Sequence, residues 1–312
     1  MPAAPAHTLA DEVVGVYQSL EMWGLLSQPM SVWTDDTHLT HPYDTLSERV
    51  AVRLRSDLPV GVCLRSLVVG WSNLGYMKGQ LNRPVPSNWV ESHSQPHSGR
   101  TDLMRYRDHV WKRYGLSGRA RAHSDLHVLI MEKNTSGAAN PSRINNVAQI
   151  TSALEAPARA RALGLSGEVR VTRASWKGMP MRQQVELVAQ ADLVISLPGS
   201  DLINCVYLPS PAAIVVPWRR CCSSDKFSTG FQPSLEVKLW FDLVPQWYVY
   251  QYNPTLDAWH RANTTTSVPA ATVNRSDSAA AAVVGIHIDV ELLLMRYVRT
   301  AIDRLRVDGV IV

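Results

Sequence analysis

Between residues 126 and 217, short strand-like runs alternate with helix-like segments in unbroken succession, and this alternation constrains the fold more than any other feature of the chain. The runs are LHVLIM (126–131), EVRVT (168–172), ADLVIS (191–196) and AAIVVP (212–217). Between them lie the amphipathic stretches 144–155 and 181–190 and a segment, 201–208, expected to be a helix. Runs that are apolar without a period of two are buried on both faces, and helical segments between them supply the cover. The pattern therefore predicts a parallel sheet with helices on both faces, a Rossmann-like α/β layer. Ligands of such sheets lie beyond the carboxyl ends of the strands. The loop after 126–131 and the turn Pro198-Gly199-Ser200-Asp201 should then share one rim.

Outside this core the signals are sparser. Residues 1–120 are expected to form an N-terminal half with apolar runs at 12–26, 50–54 and 60–71, and a helix over 101–116 that leads into the second half. Residues 121–260 form the Rossmann-like domain, 261–284 read as a Thr-, Ser- and Ala-rich linker, and 285–312 as a C-terminal piece. In that piece Val290, Leu293, Leu294, Tyr297, Val298, Ile302 and Leu305 make one apolar stripe of a helix that packs back on the body.

Several function classes are excluded by what is missing. With 31 basic and 27 acidic residues spread along the chain, no charge block points to nucleic acid. The four cysteines form no C-x-x-C pair, so neither a zinc framework nor a thioredoxin-type site is encoded. No G-x-G-x-x-G and no G-x-x-x-x-G-K-[ST] occurs, which disfavours nicotinamide enzymes and P-loop nucleotidases. Ser200 has Pro198 and Leu202 where a hydrolase elbow needs small residues. No Asp-x-Asp pair is present, so a nucleotide-sugar activity would be independent of a metal, and no cofactor is expected. Asp11 and Glu12 interrupt any signal-like core, and no window approaches a membrane span, so anchoring would require a segment ahead of this one. Sequons stand at Asn134, Asn263 and Asn274.

The turn at 198–201 has two readings. Ser200 or Asp201 caps the following helix, or the amides of Gly199, Ser200 and Asp201 hold an anion at its N-terminus. Arg143, at the start of the segment after LHVLIM, is either a solvated arginine or a bidentate phosphate ligand, with Asn146 one turn on. Gln184, near the start of the helix before ADLVIS, is unremarkable alone.

Together these stretches resemble glycosyltransferase family 61, which includes protein O-linked N-acetylglucosaminyltransferases and plant xylosyl- and arabinosyltransferases. Arg143-Ile144-Asn145-Asn146 matches the arginine-led segment, Gln184-Val185 the glutamine before an aliphatic helix, and ADLVISLPGSDLINCVYLPSPAAIVVP the segment built on His-Gly-Ala-Gly-Leu. Cys63 and Gly70 match an upstream strand, so the resemblance spans roughly 60–220. Of the five-residue motif only Gly199 and Leu202 match, and Asp201 stands at its second glycine.

The resemblance implies a GT-B-like architecture of two Rossmann-like halves, the first acceptor-side. It implies an inverting, metal-independent glycosyltransferase that moves a sugar from a UDP-linked donor to a glycan or protein hydroxyl in the Golgi or endoplasmic reticulum lumen. Arg143, Asn146, Gln184, Gly199, Ser200 and Leu202 become the expected nucleotide-binding residues. Asp201 is nominated as general base, against His41, His123 and Asp125. The alternative is a catalytically silent GT-B-like protein that binds a nucleotide sugar or a glycan.

Overall fold

The computed structural model describes residues 13–34, 42–47, 49–57, 92–93, 99–117, 122–132, 144–197, 200–216, 247–251 and 288–312. Its centre is the run 126–131, which forms strand β4 (Leu126–Met131). Around it stand β5 (Val169–Ala174), β6 (Leu193–Ile195), β7 (Ala212–Val216) and β8 (Trp247–Gln251). These five are mutually parallel in the order β5-β4-β6-β7-β8, and a short antiparallel β3 (Ser92–His93) flanks β8.

The pleat explains why the runs of β4, β6 and β7 are apolar on both faces, whereas edge strand β5 exposes Arg170, Thr172 and Arg173. Leu129 and Met131 of β4 enter one hydrophobic cluster, while Leu126, Val128 and Ile130 enter the cluster on the opposite face. In β6 and β7, Val194 and Ile214 go to the first cluster, and Leu193, Ile195, Ala213 and Val215 to the second. Both faces are covered, so neither can be polar.

The covering helices keep the spacing read from the sequence. On the second face lie α3 (Val147–Glu155), which buries Val147, Ile150 and Leu154, and α4 (Pro157–Ala162). α4 was not expected as a separate element: Ala156 precedes Pro157 and is extended (φ −65°, ψ 120°), which ends α3. On the first face lies α5 (Met181–Ala189), which buries Met181, Gln184, Val185, Val188 and Ala189, the i, i+3, i+4, i+7, i+8 stripe. Beside it the stretch Ser200–Tyr207 is a 3-10 helix, where the apolar pattern predicts an α-helix. The switch of faces between the β4–β5 and β5–β6 crossovers accompanies a reversal of direction along the sheet, as crossovers of one hand require.

The N-terminal elements pack on the first face. α1 (Val14–Met22) and α2 (Gly99–Tyr114) bury Tyr17, Tyr106 and Val110 in the same cluster as Tyr207. Hydroxyls link them: Thr45 Oγ1 lies 2.6 Å from Tyr106 Oη, which lies 3.0 Å from Tyr207 Oη. β1 (Met30–Thr34) and β2 (Val50–Leu54) form a separate parallel pair. The run 60–71 and the linker 261–284 fall outside the described residues.

The C-terminal stripe forms as expected and covers the second face. It is continuous from Val290 to Val307 but π-helical over Leu293–Val298, flanked by α6 (Val290–Leu292) and α7 (Arg299–Val307). The tail beyond it pairs alongside the segment before β4, with Val312 N–H donating to His123 O (3.1 Å) and His123 N–H to Val310 O (3.1 Å).

Candidate functional site

A strand order that runs from β4 outward in both directions has a switch point between β4 and β6, and in open parallel sheets the crevice at that point is where ligands bind. Ile130 pairs with Ile195 there, and both strands end within one residue of that pair. Two connections leave this edge: the one that begins at Glu132, and Ser196-Leu197-Pro198-Gly199, which leads into the 3-10 helix. The sequence alternation located the rim; the order of strands singles out one gap along it.

The rim is braced from the β5–α5 connection. Trp176 donates its indole N–H to the main-chain carbonyl of Asp201 at 3.1 Å. One turn further, buried Asn204 donates its amide to Gln184 Oε1 at 2.7 Å, and Gln184 Nε2 donates to Met179 O at 2.7 Å. Ser196 is buried, its N–H on Val215 O (3.1 Å) and its hydroxyl on Leu197 O (3.1 Å). At the ends of β4 and β5, Glu132 pairs with Arg173, and that carboxylate raises the guanidinium above its ordinary range.

Of the residues singled out in the sequence, Arg143, Gly199 and His41 lie outside the described set, and of Ser200 only the backbone is described, as the first residue of the 3-10 helix. Asp201 follows it, half-buried. Asn146 is buried at the start of α3. Its Oδ1 accepts from Ile288 N–H (2.9 Å), and its Nδ2 donates to Ile288 O (2.7 Å) and to Gln149 Oε1 (3.2 Å). Leu202 is wholly enclosed in the first-face cluster. The side chains of Asn146, Gln184 and Leu202 thus make internal contacts that hold elements together around the rim.

His123 and Asp125, expected as alternatives for the base, stand apart from the rim. Both precede β4 at the amino ends of the strands, about 20 Å from the rim for a six-residue strand. There they build a different device: His123 Nδ1 lies 2.7 Å from Asp125 O, His123 Nε2 3.2 Å from Asp192 Oδ1, and Asp192 Oδ2 accepts from His127 N–H at 2.8 Å. Cys205 is fully buried, and burial pushes its thiol far up, so it offers no nucleophile. Among the described residues no three His, Cys, Asp or Glu side chains are grouped to hold a metal ion.

Residues 72–215 match the family model described as Glycosyltransferase 61. Over this segment the chain is similar to glycosyltransferase family 61. The matched span contains α2, β4 to β6, α5, the 3-10 helix and all but the last residue of β7, so every element that forms the switch point lies inside it. β8 and the C-terminal helix lie beyond it. No curated protein matches the chain.

Trp176, Asn204 and Arg173 were missed by sequence reasoning. Asn204 left a readable signal: one amide inside LINCVYL must find a partner when that segment is buried. Trp176 left none, because the donor it supplies meets a main-chain carbonyl twenty-five residues away.

Proposed function

We propose that this protein is an inverting, metal-independent glycosyltransferase that takes a UDP-linked sugar and binds the diphosphate in the gap between the connection after β4 and the turn 198–201. The observation that carries the reading is the coincidence of the switch point with the segment that matches the family. In this reading Arg143 supplies a guanidinium to the diphosphate, and the N–H groups of Gly199 and Ser200 are its main-chain donors. Asn146, Gln184 and Leu202 serve the site through the framework they hold.

In this scheme a base takes the proton of the acceptor hydroxyl, and the oxygen attacks the anomeric carbon opposite the diphosphate. The carbon–oxygen bond to phosphate breaks, and the diphosphate departs with the electron pair, its charge met by Arg143 and the amides. Asp201 is the proposed base. The GT-B arrangement, with 1–120 as the acceptor-side half and 121–260 as the nucleotide half, and work in the lumen of the secretory pathway belong to the same reading. No helix among the described residues is long and apolar enough to cross a membrane.

Titration calorimetry with UDP tests it. UDP is expected to bind, and Arg143→Ala to weaken it about 10- to 150-fold, the equivalent of one charged hydrogen-bonding group. Release of UDP from UDP-sugars with a panel of glycan and peptide acceptors then separates an enzyme from a silent binder. A folded sample that binds no nucleoside diphosphate overturns the proposal.

A further inference from the structure

We infer that Trp176, Gln184 and Asn204 are positioning residues that tie the start of the 3-10 helix to the β5–α5 connection and to α5, and so set the direction of the main-chain donors at Ser200 and Asp201. The inference rests on the reading of that rim as the diphosphate site. Three hydrogen bonds make the device. Trp176 Nε1–H holds Asp201 O at 3.1 Å, Asn204 Nδ2 holds Gln184 Oε1 at 2.7 Å, and Gln184 Nε2 holds Met179 O at 2.7 Å. The chain segments joined are 176–184 and 201–204, so the links close a circuit around the start of the 3-10 helix.

Each link is placed where it resists a different movement. The indole bond grips the second residue of the 3-10 helix and fixes how far that residue stands from the β5–α5 connection. The amide pair grips the helix one turn on, and with the indole bond it fixes rotation about the helix axis, which sets the direction of the N–H groups at the helix start. Gln184 and Asn204 are both buried, with 7% and 5% of their surface exposed, and Gln184 has one partner for its oxygen and one for its nitrogen. A buried amide satisfied at both ends has one orientation, because turning it over opposes oxygen to oxygen on one side and N–H to N–H on the other. Directional donors matter to an anion because misdirected amides lose it without any change in the apolar core.

The test uses Gln184→Met, which removes both amide links at similar volume, and Trp176→Phe, which keeps an aromatic ring in the core and removes the N–H. UDP and uridine are titrated into the full chain and each variant, and amide hydrogen exchange is followed over residues 200–204. The expected result is UDP binding weakened about ten-fold, with uridine within about two-fold of the parent, since only the diphosphate reads the turn. Faster exchange at 200–204 accompanies it. Equal loss of UDP and uridine means general disruption and overturns the positioning role, and unchanged UDP binding in both variants also overturns it. If the parent chain binds no UDP, the diphosphate reading falls and takes this inference with it; failure of the variants alone leaves that reading intact.

Discussion

Asn146 gives the most exposed prediction, because it separates a residue that touches a ligand from one that holds the fold. Its side-chain amide faces the peptide groups of Ile288 as a strand neighbour would, receiving the N–H at 2.9 Å and donating to the carbonyl at 2.7 Å. Ile288 is wholly buried and stands just before the C-terminal helix. Asn146→Ala therefore leaves a peptide N–H and a carbonyl without these partners in a dry setting, at about 1–3 kcal/mol each. Partial water entry lowers the sum, so the expected loss is about 2–4 kcal/mol in urea unfolding.

Asn146→Asp sharpens the test. The introduced carboxyl can still accept from Ile288 N–H, but when ionised it sets oxygen against the Ile288 carbonyl, so burial and that contact raise its pKa above the unfolded value of about 3.9. The folded state then binds more protons than the unfolded one, and stability falls as pH rises from about 4 through the folded pKa. The deficit of Asn146→Asp against the parent should shrink in acid, whereas that of Asn146→Ala should not. A loss under about 1 kcal/mol for Asn146→Ala, with exchange over 290–307 unchanged and UDP binding abolished, would refute the anchoring role and restore a direct one.

Two further outcomes follow from packing. A methyl group at Gly167 would stand 2.4 Å from Ser124 O and 2.5 Å from Asp125 Oδ1, so Gly167→Ala should lower stability by about 1–3 kcal/mol, and an unchanged melting temperature contradicts the tight approach of these segments. Cys205, fully buried and with its thiol pushed up by burial, should stay unmodified by iodoacetamide in the native protein and react in urea; peptide mapping that finds it alkylated in native buffer contradicts the enclosed 3-10 helix.

The fold was legible where burial wrote itself into composition. β4 has the bounds of LHVLIM because both of its faces are covered, and α5 shows its stripe because one face is. Strand order was not legible: β6 and β7 read alike, and only their pairing, β6 between β4 and β7, reveals where the sheet reverses. The helix type at 200–207 was hidden for a related reason, since apolar spacing over eight residues suits a 3-10 helix as well as an α-helix. In the site, the family resemblance brought Gln184 and Asn146 forward as nucleotide-binding residues, while the bonds they make are internal. Their bonding partners, Asn204 and Ile288, come from distant stretches, and no spacing encodes that.

Asp201 departs from the family motif in charge without requiring a backbone that only glycine adopts. A glycine is needed where the backbone is left-handed, yet among the described residues the one non-glycine with positive φ is Ala122, so Asp201 occupies a conformation open to any residue. Its carbonyl is held by Trp176 whatever the side chain, and its carboxylate enters the first turn of the 3-10 helix, where amide N–H groups favour negative charge. Those same amides are the ones proposed to meet the diphosphate, so carboxylate and ligand compete for one electrostatic environment.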